Sequence, residues 1–168
     1  MRYGVVGTGW IAKSFIDGAR LLCNADFAAV YSRTEESGGK FAAENGIPTV
    51  FTDFEDFANG DFEAAYVASP NRLHYEQSKK LIEAGIDGIE ASYTYDKTSY
   101  SGKLTKQEIY DDIREYYGDR LFISGGSDYH ADGKKGVKNP REIGDCGITL
   151  EEFLANDRLV AMLPHRPV

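Results

Sequence analysis

Near its N-terminus the chain reads Arg2-Tyr3-Gly4-Val5-Val6-Gly7 and continues Thr8-Gly9-Trp10-Ile11-Ala12. The first stretch is a short apolar run ending in glycine, the mark of a buried strand. From there apolar residues recur at helical spacing, at Ile11, Phe15, Ala19 and Leu22. A strand that turns into a helix across Gly7-Thr8-Gly9-Trp10-Ile11-Ala12 fits the pattern G-x-G-x-x-G/A. Gly7 permits the tight turn, Gly9 lets the backbone approach a pyrophosphate, and Ala12 keeps helix and strand close. The helix N-terminus then offers unpaired N–H groups and the positive end of its dipole to phosphates. A dinucleotide is the expected partner; a glycine turn needed for packing alone is the bland alternative.

The residues after this turn repeat the alternation. A second strand is expected at 27–32, a helix ending at Gly46, a third strand at 49–52, a helical turn at 53–59 and a fourth strand at 63–69. The next helix begins beside Pro70 and ends at Gly85, the usual asymmetry of helix ends. Further on, "DGIEASY" predicts strand five, "TKQEIYDDIREYYG" a helix capped by Thr105 and stopped by Gly118, and "RLFISGG" strand six. Such alternation implies an α/β fold with right-handed crossovers. The expected form is one three-layer domain over 1–168, Rossmann-like and doubly wound, with a parallel sheet of about six strands ordered 3-2-1-4-5-6.

Bulk properties exclude some partners. The 168 residues amount to about one domain, and 42% hydrophobic with 27% charged residues is an ordinary globular balance. A net charge of −8 argues against nucleic acid as partner, because the phosphate backbone is bound by cationic surfaces. No apolar run approaches the ~20 residues of a membrane span. The two cysteines, Cys23 and Cys146, match no metal spacing. A reduced cytoplasmic compartment follows as the expectation, with a homodimer among the expected states.

The end of the second strand bears on which dinucleotide. An NAD site would place Asp or Glu there for the ribose 2′-hydroxyl. Here stand Tyr31, Ser32 and Arg33. A hydroxyl and a guanidinium suit a 2′-phosphate, which Arg grips through two hydrogen bonds, so NADP is favoured over NAD.

Four stretches, "GVVGTGWIA", "VYSRT", "FAAENGIP" and "YVASPNRLHYEQSKKLIEAG", make residues 1–85 resemble the N-terminal domain of the Gfo/Idh/MocA family, relatives of glucose–fructose oxidoreductase and inositol dehydrogenase. The resemblance implies that Ser69, Pro70, Asn71 and His74 line the nicotinamide end of the cofactor site. It weakens after "LIEAG", where family members continue to a Glu-Lys-Pro whose lysine serves catalysis. This chain has Glu90 followed by Ala91 and Ser92, and Lys97 lies several residues on. The expectation is a chain that lacks the family's second, substrate-binding domain.

Residues 83–156 resemble instead the C-terminal part of a PHP domain (polymerase and histidinol phosphatase), through "AGIDGIEASYTYDKTSY", "LFISGGSDYHADGKKGVKNPREIGDCG" and "TLEEFL". That resemblance implies Asp128 and His130 as ligands of a divalent metal. The site would be incomplete, since the chain has three histidines and no His-x-His. Together the two resemblances imply a chimera, engineered or recombined, joined after Gly85, with a residual NADP half-site and no catalytic residues. The alternatives are an NADP-dependent oxidoreductase of the Gfo/Idh/MocA type and a metal-dependent phosphoesterase of the PHP type.

Overall fold

The computed structural model describes residues 1–23, 25–93, 103–118, 120–127, 142 and 144–161. They divide into two compact units, Met1–Ile86 and Asp87–Val168.

In the first unit the elements run β1 (Arg2–Val6), α1 (Trp10–Cys23), β2 (Asp26–Tyr31), α2 (Glu35–Asn45), β3 (Thr49–Phe51), α3 (Phe54–Ala58), β4 (Ala64–Val67), a 3₁₀ turn (Asn71–Leu73) and α4 (His74–Glu83). The four strands form a parallel sheet in the order β3-β2-β1-β4. Val6 lies opposite Tyr31 on one side and Val67 on the other, so all three strands end at one rim.

Neighbouring strand residues pack into different layers, as the two-residue period of a strand requires. Val5 and Val30 join Ala12, Ile16, Phe27, Phe41, Ala42 and Ile47 in one buried cluster. Val6 and Ala29 join Phe54, Phe57, Ala58 and Leu81 in another. A sheet buried on both faces reads as a continuous apolar run, which is why β1 and β2 were legible despite lacking alternation. The helix ends are set locally. Thr34 caps α2 by accepting from the Ser37 N–H, Gly46 closes it in the left-handed region at φ 59°, and Asp53 caps α3.

The second unit holds β5 (Gly88–Tyr93), α5 (Lys106–Tyr117), β6 (Phe122–Gly126), α6 (Leu150–Leu154) and α7 (Asp157–Ala161). Thr105 caps α5 in a full capping box with Glu108, as its position in the sequence suggested. Thr149 and Glu152 repeat the device on α6, whose start carries the same Thr-x-x-Glu spacing.

An α/β, Rossmann-like fold with a parallel sheet is therefore present, and the expected order 3-2-1-4 holds. Its extension to 5-6 in the same sheet is corrected: β5 and β6 pair with each other in a separate two-stranded parallel sheet. Alternating strands and helices specify parallel pairing and which faces are buried. They do not specify which strand lies alongside which, and that is where the expectation failed. Among the described residues no helix is long and apolar enough to cross a membrane.

Candidate functional site

Where the strand order reverses between β1 and β4, the two connections leave the rim to opposite sides of the sheet and open a crevice. The turn after β1 lines it. Gly7 adopts φ 108°, a region costly for residues with a side chain, and its N–H donates to the Tyr31 carbonyl at 3.0 Å. The first bond of α1 runs from the Lys13 N–H to the Gly9 carbonyl, at 3.1 Å. The amides of Trp10, Ile11 and Ala12 thus precede the helix's own ladder and are available to a ligand. Ala12 is fully buried within the cluster that joins α1 to the sheet. Thr8 is half-buried, while Gly9, Trp10 and Ile11 are exposed.

Gly9 carries the most pointed observation. A Cβ there would meet nothing within 4 Å. Among the described residues no atom closes the space at this position, as at Gly18 and Gly39, but Gly9 alone of the three stands at the turn after β1. A pyrophosphate drawn close to the backbone fits that vacancy. Gly7 differs: its Cβ would stand 3.2 Å from the Ala68 carbonyl oxygen.

At the end of β2, Ser32 is buried and its N–H donates to the Phe51 carbonyl at 2.9 Å. Its hydroxyl lies 2.7 Å from that of Ser37, which is 2.6 Å from the Thr34 hydroxyl. The Ser32 hydroxyl is thus the buried end of a chain of three at the start of α2, and Arg33 is exposed beside them. Sequence reasoning named Ser32 and Arg33 but missed Thr34 and Ser37. The signal was the Thr-x-x-Ser spacing at a helix start.

The turn after β4 completes the rim. Ser69 is half-buried, Pro70 is exposed, and Asn71 opens the 3₁₀ turn. His74 starts α4, and its Nε2 donates to the Ser69 carbonyl at 2.6 Å. The Ser69 hydroxyl donates to Oε1 of Gln77 at 2.5 Å, and Gln77 is buried. Sequence reasoning missed Gln77. Its signal was the i, i+4 relation to Leu81 on the inward face of α4.

The two resemblances also singled out residues beyond this rim. Glu90 lies in β5, opposite Ser124. Asp128, His130 and Lys97 lie outside the described residues.

The glycine turn, the open α1 terminus and the crevice at the sheet's switch point define a nucleotide-binding Rossmann unit. The chain belongs to the Gfo/Idh/MocA oxidoreductase family, with its NAD-binding Rossmann fold, whose model matches residues 1–89. It is similar to an NADP(+)-dependent scyllo-inositol 2-dehydrogenase of Bacillus subtilis, 38% identical over 86 residues, which are 51% of this chain and 26% of that protein. A 1,5-anhydro-D-fructose reductase of Ensifer adhaerens is 34% identical over 85 residues, 50% of this chain and 26% of the relative. The chain spans about a quarter of the length of these curated relatives.

Among solved structures, the fold is like that of scyllo-inositol dehydrogenase from Lactobacillus casei with bound NAD(H) and scyllo-inositol. The TM-score is 0.55 at 20% identity, over 77% of this chain and 36% of that one. A biliverdin reductase from Synechocystis in complex with biliverdin and NADP+ gives a TM-score of 0.52 at 18% identity, over 73% of this chain and 37% of the other. These comparisons support the oxidoreductase resemblance of residues 1–85. They give no support to a PHP segment or to a chimera, and the oxidoreductase alternative fits them better than the chimeric reading. The chimera rested on the three stretches of residues 83–156 quoted above, whose strand–helix–strand pattern many α/β folds share.

Proposed function

We propose that residues 1–86 bind NADP(H) as the cofactor unit of an oxidoreductase acting on the hydroxyl or carbonyl group of a polyol or sugar. The observation that carries the reading is the vacancy at Gly9, a glycine without a packing role, set at the start of a helix whose first amides precede its ladder. Nicotinamide supplies hydride chemistry when bound. The chain's own residues bind and orient. The amides of Trp10, Ile11 and Ala12 receive the pyrophosphate, Gly7 shapes the turn, and Ala12 holds α1 close to the sheet. Ser69, Pro70, Asn71 and His74 border the nicotinamide end.

Several features favour NADP over NAD. No carboxylate ends β2; Arg33 stands there, with the hydroxyls of Thr34 and Ser37 beside it. The buried Ser32 hydroxyl, engaged with Ser37, orders that group rather than reaching outward. Glu35 and Glu36 in the first turn of α2 oppose a phosphate, which leaves Arg33 as the dominant attraction. The NADP dependence named for the Bacillus subtilis relative supports the same choice. Calorimetric titration with NADPH and NADH tests the proposal. Saturable binding with NADPH the tighter ligand is expected, and no heat from either would overturn it.

A further inference from the structure

We propose that Gln77 is a positioning residue for the nicotinamide end of the site, acting through Ser69. The inference rests on the dinucleotide reading above and deepens it. In this sheet topology the adenosine ribose lies at the end of β2 and the pyrophosphate at the start of α1. The other half of the ligand must therefore pass the end of β4, where Ser69 lies.

Ser69 is held from both sides. Toward the glycine turn, the Ala68 N–H donates to the Val6 carbonyl at 2.9 Å, and the space at Gly7 is closed by the Ala68–Ser69 peptide. Toward α4, His74 takes the Ser69 carbonyl and Gln77 takes its hydroxyl, at 2.6 and 2.5 Å. One helical turn thus fixes both the main chain and the side chain of one rim residue.

Packing does not explain the glutamine. Gln77 is 9% exposed on the same face as Leu81, where an apolar side chain would bury without a polar partner to satisfy. Its amide oxygen accepts only, so the Ser69 hydroxyl must spend its proton on it. Toward the crevice Ser69 then offers lone pairs alone. Such an oxygen repels phosphate and suits an N–H donor, which the carboxamide of nicotinamide carries. Gln77 sets that polarity without touching the ligand.

The test compares two ligands on purified full-length protein. NADPH spans both ends of the site, whereas adenosine 2′,5′-bisphosphate reaches only the β2 end. Gln77→Leu should weaken NADPH about fivefold or more and leave the bisphosphate within about twofold. Gln77→Glu keeps the acceptor and should restore most of the NADPH affinity. Should the leucine variant not fold, Ser69→Ala removes the donor from the other side and should give the same selective loss of NADPH. Equal losses for both ligands, or undiminished NADPH binding in the leucine and alanine variants, would overturn the positioning role while leaving the dinucleotide reading intact. Parent protein that binds neither ligand would overturn both.

Discussion

A methyl group on Gly7 would stand 3.2 Å from the carbonyl oxygen of Ala68, so the turn after β1 and the end of β4 are in contact wherever Gly7 keeps its φ of 108°. Gly7→Ala therefore meets two obstacles, a disfavoured backbone region and a close neighbour. It should destabilise the fold by about 1–3 kcal/mol in urea unfolding and weaken NADPH as well. Unchanged stability would contradict the turn geometry.

Gly9→Ala is the complementary case. With nothing within 4 Å of its Cβ, the fold should lose no more than about 1 kcal/mol, the scale of a helix-start preference. NADPH affinity should nevertheless fall tenfold or more, because the methyl occupies the path of the pyrophosphate. The pair of variants separates stability from binding: the first damages both, the second only binding.

At the end of β2, Arg33→Asp should weaken NADPH by tenfold or more, which is ~1.4 kcal/mol or above, and change NADH far less. Titration of both cofactors into both proteins measures it. Equal effects would remove the 2′-phosphate assignment.

The second unit carries a pH signature. The backbone N–H of Thr105 and then its hydroxyl hold the Glu108 carboxyl below its ordinary value of 4.5, and Thr149 does the same for Glu152. A carboxyl whose pKa is lowered on folding stabilises the folded state fully above its unfolded pKa. It loses that contribution as pH falls through the folded value. Melting temperature should accordingly fall on acidification below about pH 4.5, and Glu108→Gln with Glu152→Gln should flatten that decline. Both groups are fully exposed, so the effect is small.

Much of the first unit was legible because its determinants are local. Gly7, Gly9 and Ala12 announced the turn and Gly46 the end of α2, and in the second unit Thr105 announced the start of α5. What failed depended on tertiary placement. No period in "DGIEASY" says that β5 pairs with β6. Ser32 read as an outward hydroxyl, yet its burial is fixed by Gly38, whose missing side chain admits both Ser32 and Val50. Gln77 went unnoticed because nothing local says which face of α4 meets the sheet; the buried Leu81 marks that face. The stretches around Asp128 and His130 suggested a second family that the comparisons do not support, and both residues lie outside the described ones.

The most direct test of the central claim is NADPH titration of ¹⁵N-labelled protein followed through its amide resonances. Binding at the crevice predicts saturable shifts centred on Trp10, Ile11 and Ala12, with further shifts at Arg33 and Ser69. Shifts confined to Asp87 onward, or none at millimolar NADPH, would contradict it.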